Sequence, residues 1–253
     1  MCSVKVGVIG VGGWGKNHLR VLSELGCLAS FCDIDLEKVK QYEEKYRVKG
    51  YSSVEEMLQH EALDAAVICT PSVTHYEIAK KTISYGLHTF VEKPLTLTSK
   101  EGEELLEAAE KQGVILTAGY IERFNPAVKA LKEIIVSGRL GEPLLLEFHR
   151  ESKWLGNVRD VGIILDTAVH DIDTARWIFN LEPKSIYART GHIISPHEDF
   201  AAIILGFDEK KTAFIASNWV TPKRVRRLIT VCTGGIVTID FITQEIQIDD
   251  ERG

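Results

Sequence analysis

The chain has 253 residues, which is enough for two compact domains of ordinary size. Hydrophobic residues make up 45% and charged residues 26%, a composition typical of globular proteins, which excludes disordered and collagen-like chains. The formal net charge of -6 supplies no overall basic field, so the composition disfavours binding to nucleic acid or to an anionic membrane surface.

The five cysteines are scattered along the chain, and none forms a C-x-x-C pair. This pattern indicates neither a disulfide framework nor a zinc site, so no metal is predicted. No stretch approaches the roughly 20 apolar residues of a membrane span. We therefore expect a cytoplasmic protein with no membrane partner.

In the first half of the chain, short apolar runs alternate with amphipathic stretches, which is typical of β-α-β units. Five strands and five helices are predicted there. The strands are predicted at 4–9, 27–32, 65–69, 88–91 and 114–118, and the helices at 15–25, 36–46, 54–59, 74–85 and 99–112. The expected first domain, 1–119, is a Rossmann-type, doubly wound parallel sheet of the α/β class.

The pattern changes after residue 119. Helices are predicted at 125–137 and 165–179, and strands at 144–150, 185–190, 200–207, 212–219, 226–232, 236–241 and 245–248. Strands in series with short connections favour an open, mostly antiparallel sheet with helices on one face. The second domain, 120–253, is therefore expected to be α+β, and the cleft between the domains is the expected place for chemistry.

A G-x-G-x-x-G motif lies between the first predicted strand and the first predicted helix. In this setting the first glycine permits a tight turn, the second lets a pyrophosphate approach the backbone, and the third lets helix and strand pack closely. The predicted cofactor-binding residues are Gly10, Gly12, Gly13, Trp14 and Gly15. A turn without a ligand and the turn of another adenosine-binding protein, such as a methyltransferase, are the alternatives.

Asp33 follows the second predicted strand, where a carboxylate can accept hydrogen bonds from the adenosine ribose hydroxyls. The same carboxylate would repel a 2′-phosphate. Ile34 and Asp35 supply no cation to bind such a phosphate. The sequence therefore favours NAD over NADP.

Two short segments follow later strands at the same predicted sheet edge, namely Cys69-Thr70-Pro71 and Glu92-Lys93-Pro94. The ammonium of Lys93 could hydrogen-bond a substrate hydroxyl and, if partly desolvated, exchange a proton with it. A surface lysine paired with Glu92 is the alternative.

The segment 166–173 reads Asp-Thr-Ala-Val-His-Asp-Ile-Asp. At about 100° per residue, Asp166, His170, Asp173 and Trp177 share one stripe of a helix, away from most of the apolar positions. One helical turn would place Asp166 beside His170, where it could orient the imidazole and keep it basic. The alternatives are that Asp166 caps the helix and that His170 is merely solvated.

Together these motifs resemble the Gfo/Idh/MocA family of nicotinamide-dependent oxidoreductases. The resemblance rests on Gly10 to Gly15, Thr70-Pro71 with His75, Glu92-Lys93-Pro94, Arg123-Phe124-Asn125-Pro126, Gly138 to Pro143, and Asp166 with His170. It implies a Rossmann domain followed by a domain with an open antiparallel sheet, and oxidation or reduction of a sugar or cyclitol carbinol. It also implies dimers or tetramers built through the sheet faces.

The resemblance implies that Lys93, Asp166 and His170 are the catalytic lysine, aspartate and histidine, with His170 as the proton acceptor. It adds a second group of cofactor-binding residues, which are Thr70, Pro71, His75, Glu92 and Lys93. The chain ends earlier than is usual in the family, so it is expected to be a short form or a fragment.

Arg150-Glu151-Ser152, Trp154 and Asp160-Val161-Gly162 most resemble the UDP-N-acetylglucosamine 3-dehydrogenases and related nucleotide-sugar dehydrogenases. A diphosphate substrate would need cations. Candidates are Arg123, Arg150, Lys153, Arg159, Lys223, Arg224, Arg226 and Arg227, and the predicted substrate-binding set is Arg123, Arg150 and Lys153 with Asp166 and His170. An inositol or free-sugar dehydrogenase and a non-catalytic NAD-binding sensor are the alternative functions.

Overall fold

The computed structural model describes residues 4–156 and 160–250. The chain divides into two compact units, Met1–Gly119 (unit 1) and Tyr120–Gly253 (unit 2). Each unit has its own sheet and its own buried apolar residues. Within the described residues, no helix has both the length and the apolar character that crossing a membrane requires.

Unit 1 alternates strands and helices. Its strands are β1 (Val6–Ile9), β2 (Leu28–Cys32), β3 (Lys49–Tyr51), β4 (Ala65–Ile68), β5 (His88–Val91) and β6 (Leu116–Ala118). Its helices are α1 (Gly15–Glu24), α2 (Leu36–Tyr46), α3 (Val54–His60), α4 (His75–Ser84) and α5 (Ser99–Gln112), with a 3₁₀ turn at Ser72–Thr74. Each helix that the sequence predicts for this unit is present.

Side-chain caps explain where several of these helices begin. Asp35 caps α2 and Ser53 caps α3 by accepting hydrogen bonds from backbone N–H groups of the first turn. Thr98 and Glu101 form a reciprocal capping box at the start of α5. The polar residue before each apolar pattern is therefore what sets these boundaries.

The sheet of unit 1 is parallel, with the strand order β3-β2-β1-β4-β5-β6. This order confirms the predicted Rossmann-type, doubly wound sheet, whose direction of winding reverses between β1 and β4. Val8 and Ile9 belong to different apolar clusters because successive residues of a strand face opposite sides of the sheet. Helices therefore cover both faces.

Strand β3 was not predicted from the sequence. It has only three residues, and Gly50 at its centre breaks the β-branched pattern expected of a buried strand. A Cβ at Gly50 would come within 2.8 Å of side-chain carbons of Phe31 and Val39. The glycine is needed because β3 passes close to β2 and α2.

Unit 2 begins with a 3₁₀ turn at Ile121–Phe124 and the helix α6 (Pro126–Val136), which Asn125 caps. A π-helical segment, Ile164–Ala168, leads directly into α7 (Val169–Phe179). The strands are β7 (Pro143–Lys153), β8 (Ser185–Gly191), β9 (Phe200–Gly206), β10 (Thr212–Asn218), β11 (Val220–Cys232), β12 (Gly235–Asp240) and β13 (Ile246–Asp250).

The sheet of unit 2 has the order β13-β12-β11-β7-β10-β9-β8. Neighbouring strands are antiparallel except β7 and β10, which are parallel. The predicted mostly antiparallel sheet is thus confirmed. Strand β11 begins at Val220, earlier than the predicted start at residue 226. The sequence pattern missed this part because Pro222 interrupts it and lies where the register with β7 is broken.

The two faces of this sheet differ in what covers them. Apolar side chains of α6 and α7, including Leu131 and Ile178, pack with Phe148 and Ile215 of the sheet in one buried cluster. The residues that alternate with the buried ones along β9, such as Ile204, are exposed. One face of the sheet is therefore covered by helices of unit 2, as predicted.

Candidate active site

The glycine turn between β1 and α1 has a backbone that only glycine accommodates at two positions. Gly10 has a positive φ of 82°, and a Cβ there would lie 2.9 Å from backbone atoms of Cys69. A Cβ at Gly15 would overlap the carbonyl oxygen of Gly10. These contacts explain the first and third glycines of the motif by packing within unit 1.

The middle of the turn is open instead of packed. A Cβ built on Gly12 or Gly13 would meet no atom of the described residues within 4 Å. Helix α1, all of which is described, has no side-chain cap and no acidic residue in its first turn. The N–H groups of Lys16, Asn17 and His18 bond to carbonyls of the turn, so the turn presents the open backbone of Gly12 and Gly13 and the helix dipole to an external anion. These features fit a pyrophosphate.

Asp33 lies directly after β2 and contacts the glycine turn. Its Oδ2 accepts a hydrogen bond from the N–H of Val11 at 2.8 Å, and its Oδ1 accepts one from the N–H of Asp35 at 2.9 Å. These two bonds fix the carboxylate beside the turn while the residue stays partly exposed. The position fits the predicted acceptor for ribose hydroxyls.

His75, predicted to bind cofactor, is instead buried at the start of α4. Its Nδ1 lies 2.7 Å from the carbonyl oxygen of Pro94, and its Nε2 lies 2.9 Å from that of Thr70. The ring therefore joins the loop after β4 to the loop after β5. Both ring nitrogens thus face carbonyl oxygens of unit 1, and contact of His75 with cofactor stays a prediction.

Glu92, also predicted to bind cofactor, forms a hydrogen bond with a histidine of α1. Its Oε1 lies 2.8 Å from Nε2 of His18, and both side chains are mostly buried. Lys93, the next residue, is half-buried. The carboxylate of Glu92 is thus held by unit 1 itself. Contacts of Thr70, Pro71, Glu92 and Lys93 with cofactor stay predictions.

Cys69 completes a cluster with these two residues. Its Sγ, a ring nitrogen of His18 and a carboxylate oxygen of Glu92 all lie within 4.8 Å of one another, and they form the metal-compatible group found among residues 4–156 and 160–250. Burial and the charge of Glu92 raise the pKa of the Cys69 thiol. The contacts within the cluster are those of a hydrogen-bonded pair, His18 and Glu92, beside a neutral thiol. The absence of a metal stays a prediction.

In unit 2, Asp166 and His170 lie in different kinds of helix. Asp166 is within the π-helical segment, where the N–H of Val169 bonds to the carbonyl of Ile164, five residues earlier. His170 is in the first turn of α7. The spacing of 100° per residue assumed from the sequence therefore does not run through Asp166, so the predicted contact between Asp166 and His170 stays a prediction.

The rest of the predicted polar stripe faces the interior of unit 2. Asp173 is buried, and Trp177 packs against the apolar core and against the ammonium of Lys132. The sequence left open whether this face belongs to the core, and at these two residues it does. The apolar periodicity of the sequence missed it because an aspartate paired with an arginine can occupy a buried position.

Arg123, predicted to bind substrate, forms a two-pronged ion pair with Asp173. Its Nε and Nη2 donate to the two carboxylate oxygens at 2.7 and 2.6 Å. The pair joins the 3₁₀ turn at Ile121–Phe124 to α7. The pair holds the His170 helix, while the Arg123 side chain stays 39% exposed, so its contact with substrate stays a prediction.

Arg150, also predicted to bind substrate, is only 2% exposed in the middle of unit 2. It donates to both carboxylate oxygens of Asp171 and to Glu122, and it lies over the ring of Phe241. Burial raises the pKa of the Asp171 carboxyl, while the charge of Arg150 opposes that rise. A guanidinium with these partners has no exposed face for a diphosphate, so this prediction was wrong.

The other predicted cations differ in environment. Lys153 is exposed at the end of β7. Arg226 is half-buried, and burial together with the charges of Arg150 and Arg224 lowers its pKa to about 10. Arg159 lies outside the described residues. Lys153 therefore stays the exposed member of the predicted substrate-binding set.

Two residues near the site were missed from the sequence. His18 faces Glu92, and Glu198 accepts a hydrogen bond from the N–H of Ile164 at the start of the π-helical segment. A Cβ at Gly162 would overlap the carboxylate of Glu198. A histidine in the first turn after a glycine motif is a signal that could have indicated His18, whereas Glu198 is placed only by the fold.

Comparison with known proteins covers both units. Residues 4–120 match the family model GFO_IDH_MocA, described as an oxidoreductase family with an NAD-binding Rossmann fold, and residues 128–238 match the model of the GFO/IDH/MocA C-terminal domain. The chain belongs to the Gfo/Idh/MocA oxidoreductase family. This membership confirms the predicted family, its oxidoreductase class and the NAD-binding character of its first domain.

Relatives in this family carry names of two substrate classes. The chain is 27% identical over 248 residues to UDP-N-acetylglucosamine 3-dehydrogenase of Acidithiobacillus ferrooxidans, which covers 98% of this chain and 77% of that protein. It is 30% identical over 218 residues to myo-inositol 2-dehydrogenase of Thermotoga maritima, covering 81% of this chain and 65% of that protein. The chain thus spans between about two thirds and three quarters of these relatives.

Solved structures show the same architecture. The structure of UDP-N-acetylglucosamine 3-dehydrogenase GnnA from Acidithiobacillus ferrooxidans matches with a TM-score of 0.91 at 26% identity, over 100% of this chain and 81% of that one. The WlbA dehydrogenase from Bordetella pertussis, solved with NADH and UDP-GlcNAcA, matches with a TM-score of 0.90 at 22% identity, over 98% and 77%. The latter likeness is one of fold.

Proposed function

We propose that this Gfo/Idh/MocA protein is an NAD-dependent dehydrogenase that acts on a carbinol of a sugar, with a nucleotide sugar such as UDP-N-acetylglucosamine, oxidised at C3, as its substrate. The open, uncapped glycine turn beside Asp33 is the observation that carries the cofactor part of the proposal. The relative named UDP-N-acetylglucosamine 3-dehydrogenase supports the substrate part.

NAD, when bound, supplies the nicotinamide that accepts a hydride. The backbone of Gly12 and Gly13 and the first turn of α1 would hold its pyrophosphate, and the carboxylate of Asp33 would accept hydrogen bonds from its ribose hydroxyls. Trp14 and Ile34 are exposed beside these groups and offer apolar contact. A 2′-phosphate would meet the charge of Asp33, so NADP should bind more weakly.

The proposed catalytic groups are Lys93, Asp166 and His170. The imidazole of His170 would take the proton of the substrate hydroxyl, and Asp166 would orient that ring. The ammonium of Lys93 would hydrogen-bond the reacting oxygen and stabilise negative charge that develops on it. Lys93 and His170 are each half-buried, which leaves them accessible while reducing their contact with water.

A diphosphate would be bound by cations that are not already paired in buried networks. Lys153 is exposed, and Arg226 is half-buried beside Arg224. These groups could bind phosphate oxygens, whereas Arg123 and Arg150 are committed to aspartates. The alternative substrate class, inositol or a free sugar, needs no such anchor and is supported by the relative from Thermotoga maritima.

The predicted homo-oligomer would form through the open face of the unit 2 sheet. Tyr187, Ile204, Phe214 and Ile229 lie in one row of that face, because Tyr187 and Phe214 both pair with Ile204 and because Phe214 and Ile229 both pair with Glu147. This row is apolar apart from Glu147 of β7, which lies between Phe214 and Ile229, and an apolar row on an open sheet favours burial against another surface. Replacing Ile204 and Phe214 by lysine should convert a dimer or tetramer into monomers in analytical ultracentrifugation.

The proposal is tested by following NAD reduction at 340 nm with UDP-N-acetylglucosamine, free hexoses and myo-inositol. We expect Lys93→Met to abolish turnover, a loss of at least about 100-fold, while NADH binding measured by fluorescence is retained. Lys100→Met, at an exposed position of α5, is the matched control and should leave both unchanged. Full activity of Lys93→Met would refute the assignment.

The rival function is a non-catalytic NAD-binding sensor. Measurable NADH binding without turnover of any of these substrates would favour it. The predicted cytoplasmic location and the predicted lack of nucleic acid or membrane partners stay predictions under either function.

A further inference from the structure

The loop that carries Lys93 is held by a histidine on each side. His18 bonds to Glu92, the residue before Lys93, and His75 bonds to the carbonyl oxygen of Pro94, the residue after it. Both contacts lie within unit 1. Neither histidine is among the groups that the proposed reaction uses directly, so their position around one lysine needs another explanation.

His18 spans the sheet edge from the glycine turn to the Lys93 loop. It lies in the first turn of α1, which follows β1, whereas Glu92 follows β5, and β4 lies between these two strands. The ring of His18 also packs against Phe90 of β5, with 5.3 Å between ring centroids. The first turn of α1, which adjoins the proposed pyrophosphate site, is thus fixed to the end of β5 by two contacts of one side chain.

His75 makes the second connection. It is 1% exposed, and its two ring nitrogens face the carbonyl oxygens of Thr70 and Pro94. These oxygens belong to the loops after β4 and β5. Because one rigid ring contacts both, the two loops cannot separate without breaking a buried hydrogen bond.

The carboxylate of Glu92 has little room to move. A Cβ at Gly119 would lie 3.0 Å from its Oε2, so the chain after β6 already packs against it. Its backbone N–H also bonds to the carbonyl of Ile68 in β4. With Glu92 fixed and Pro94 fixed, the backbone of Lys93 has few alternative positions.

We propose that His18 and His75 are positioning residues, which set the place of the Lys93 ammonium relative to the glycine turn and couple occupation of that turn to Lys93. The inference rests on the proposed role of Lys93 in catalysis. A catalytic hydrogen bond is sensitive to displacements of about 1 Å, which can reduce a rate by roughly 100-fold. The two histidines act on Lys93 through its neighbours, without contact with the reacting atoms.

The test compares variants that break the His18 bond in different ways. His18→Phe retains an aromatic ring on Phe90 but removes the bond to Glu92, and Glu92→Ala removes its partner. We expect each to lower kcat by roughly 10- to 100-fold with less than about a threefold change in the Kd of NADH. The double variant should be no worse than the single ones, because both remove the same bond.

Conservative variants and a matched control separate positioning from general destabilisation. Glu92→Gln retains an oxygen that accepts from His18 and should retain most of the activity. Glu24→Ala removes the exposed bond between Arg20 and Glu24 on the same helix and should leave kcat unchanged. The glutamine side chain of His75→Gln can still donate to one of the two buried carbonyls. When the melting temperature of this variant equals that of the wild type, its kcat should also be lower.

A second readout does not depend on turnover. Acetylation of Lys93 by acetic anhydride, followed by mass spectrometry, reports its reactivity with and without saturating NADH. We expect NADH to change the acetylation rate of Lys93 at least threefold in the wild type and not in His18→Phe. If no substrate is turned over, the proposed function fails, but this readout still decides the coupling.

Several results would overturn the inference. One is a kcat of His18→Phe within twofold of the wild type. Another is a loss of kcat in Glu92→Gln that is as large as the loss in Glu92→Ala. A third is a rise of more than tenfold in the Kd of NADH for Glu92→Ala alone, which would show that Glu92 contacts the cofactor directly. Equal response of Lys93 acetylation to NADH in the wild type and His18→Phe would likewise refute the coupling.

Discussion

The Lys93 loop of unit 1 and the His170 helix of unit 2 are fixed by different kinds of bonds. Around Lys93 the contacts come from two histidines, His18, which bonds to the carboxylate of Glu92, and His75, whose ring lies between two backbone carbonyls and donates its N–H to one of them. Around His170 the contacts are ion pairs, in which Arg150 holds Asp171 and Arg123 holds Asp173. The same task of positioning a functional side chain is thus performed by hydrogen bonding in one unit and by charge pairing in the other.

The difference predicts how each region tolerates substitution. A buried backbone carbonyl that loses its hydrogen-bond donor lowers the free energy of unfolding by about 1 to 3 kcal/mol. A buried carboxylate that loses its arginine is left as an uncompensated charge, and such losses reach about 3 to 5 kcal/mol. Unit 2 should therefore be the more fragile toward single substitutions near its functional helix.

The largest effect is expected at Arg150. Arg150→Met should lower the free energy of unfolding of unit 2 by about 3 to 5 kcal/mol, because Asp171 and Glu122 stay buried without their cation. Urea denaturation followed by circular dichroism measures this loss. Arg176→Met, which breaks the exposed pair with Glu182, is the control and should cost less than about 1 kcal/mol. Equal losses in the two variants would remove the distinction between buried and exposed pairs.

A smaller effect is expected at His75. His75→Leu keeps a similar volume but removes the N–H that the imidazole donates to one of the carbonyls of Thr70 and Pro94, and it should cost about 2 kcal/mol because a buried carbonyl loses its donor. Hydrogen exchange should show faster exchange confined to the loops after β4 and β5. A loss as large as that of Arg150→Met would contradict the proposed contrast between the two units.

Arg123 should be less sensitive than Arg150, although it makes the same kind of pair. Its side chain is 39% exposed, so water can reach the carboxylate of Asp173 once the guanidinium is removed. Arg123→Gln should therefore cost about 1 kcal/mol, and thermal unfolding measures it against the wild type. A cost above that of His75→Leu would show that water does not replace the pair.

The smallest effect is a dependence on acidic pH that arises at Asp199. Burial acts to raise the pKa of Asp199, but hydrogen bonds from Ser195 and from the N–H groups of Ile193 and Ile194 lower it below its ordinary value. The folded-state pKa is thus below that of the unfolded chain, about 3.9. The stabilisation is complete well above that value and is lost as the pH falls through the folded-state pKa.

The variant Asp199→Asn checks this dependence. Between pH 5 and the lowest pH at which the protein stays folded, its free energy of unfolding should change less than that of the wild type. This range is chosen because the ordinary aspartate pKa is about 3.9. Urea denaturation at a series of pH values measures both. Identical pH profiles for the two chains would show that another carboxylate is responsible for the acid sensitivity.

Much of the fold follows from local patterns in the sequence. Caps such as Asp35 and Thr98 and the alternation of apolar residues locate most helices and strands. The exceptions have local causes, since β3 contains Gly50 and β11 contains Pro222. The π-helical segment around Asp166 could not be predicted, because its hydrogen-bond pattern leaves no distinct apolar period in five residues.

The candidate site was predictable where a motif has a local mechanism. The glycine turn and Asp33 are of that kind, and their contacts fit the cofactor role expected of them. The partners of Arg150 and Glu92 were not predictable, because they come from elements far away in the chain. A charged residue on its own indicates neither a substrate contact nor a buried pair, and only its distant neighbours decide between the two.

The position of β7 bears on how the nascent chain acquires its structure. Both of its partners in the sheet, β10 and β11, come later in the chain, and one of them pairs with it in parallel. All strands of unit 1 are complete before β7 is synthesised. On the ribosome we therefore expect unit 1 to mature first, while β7 emerges without its partners and pairs only after residues 212–232 have left the exit tunnel.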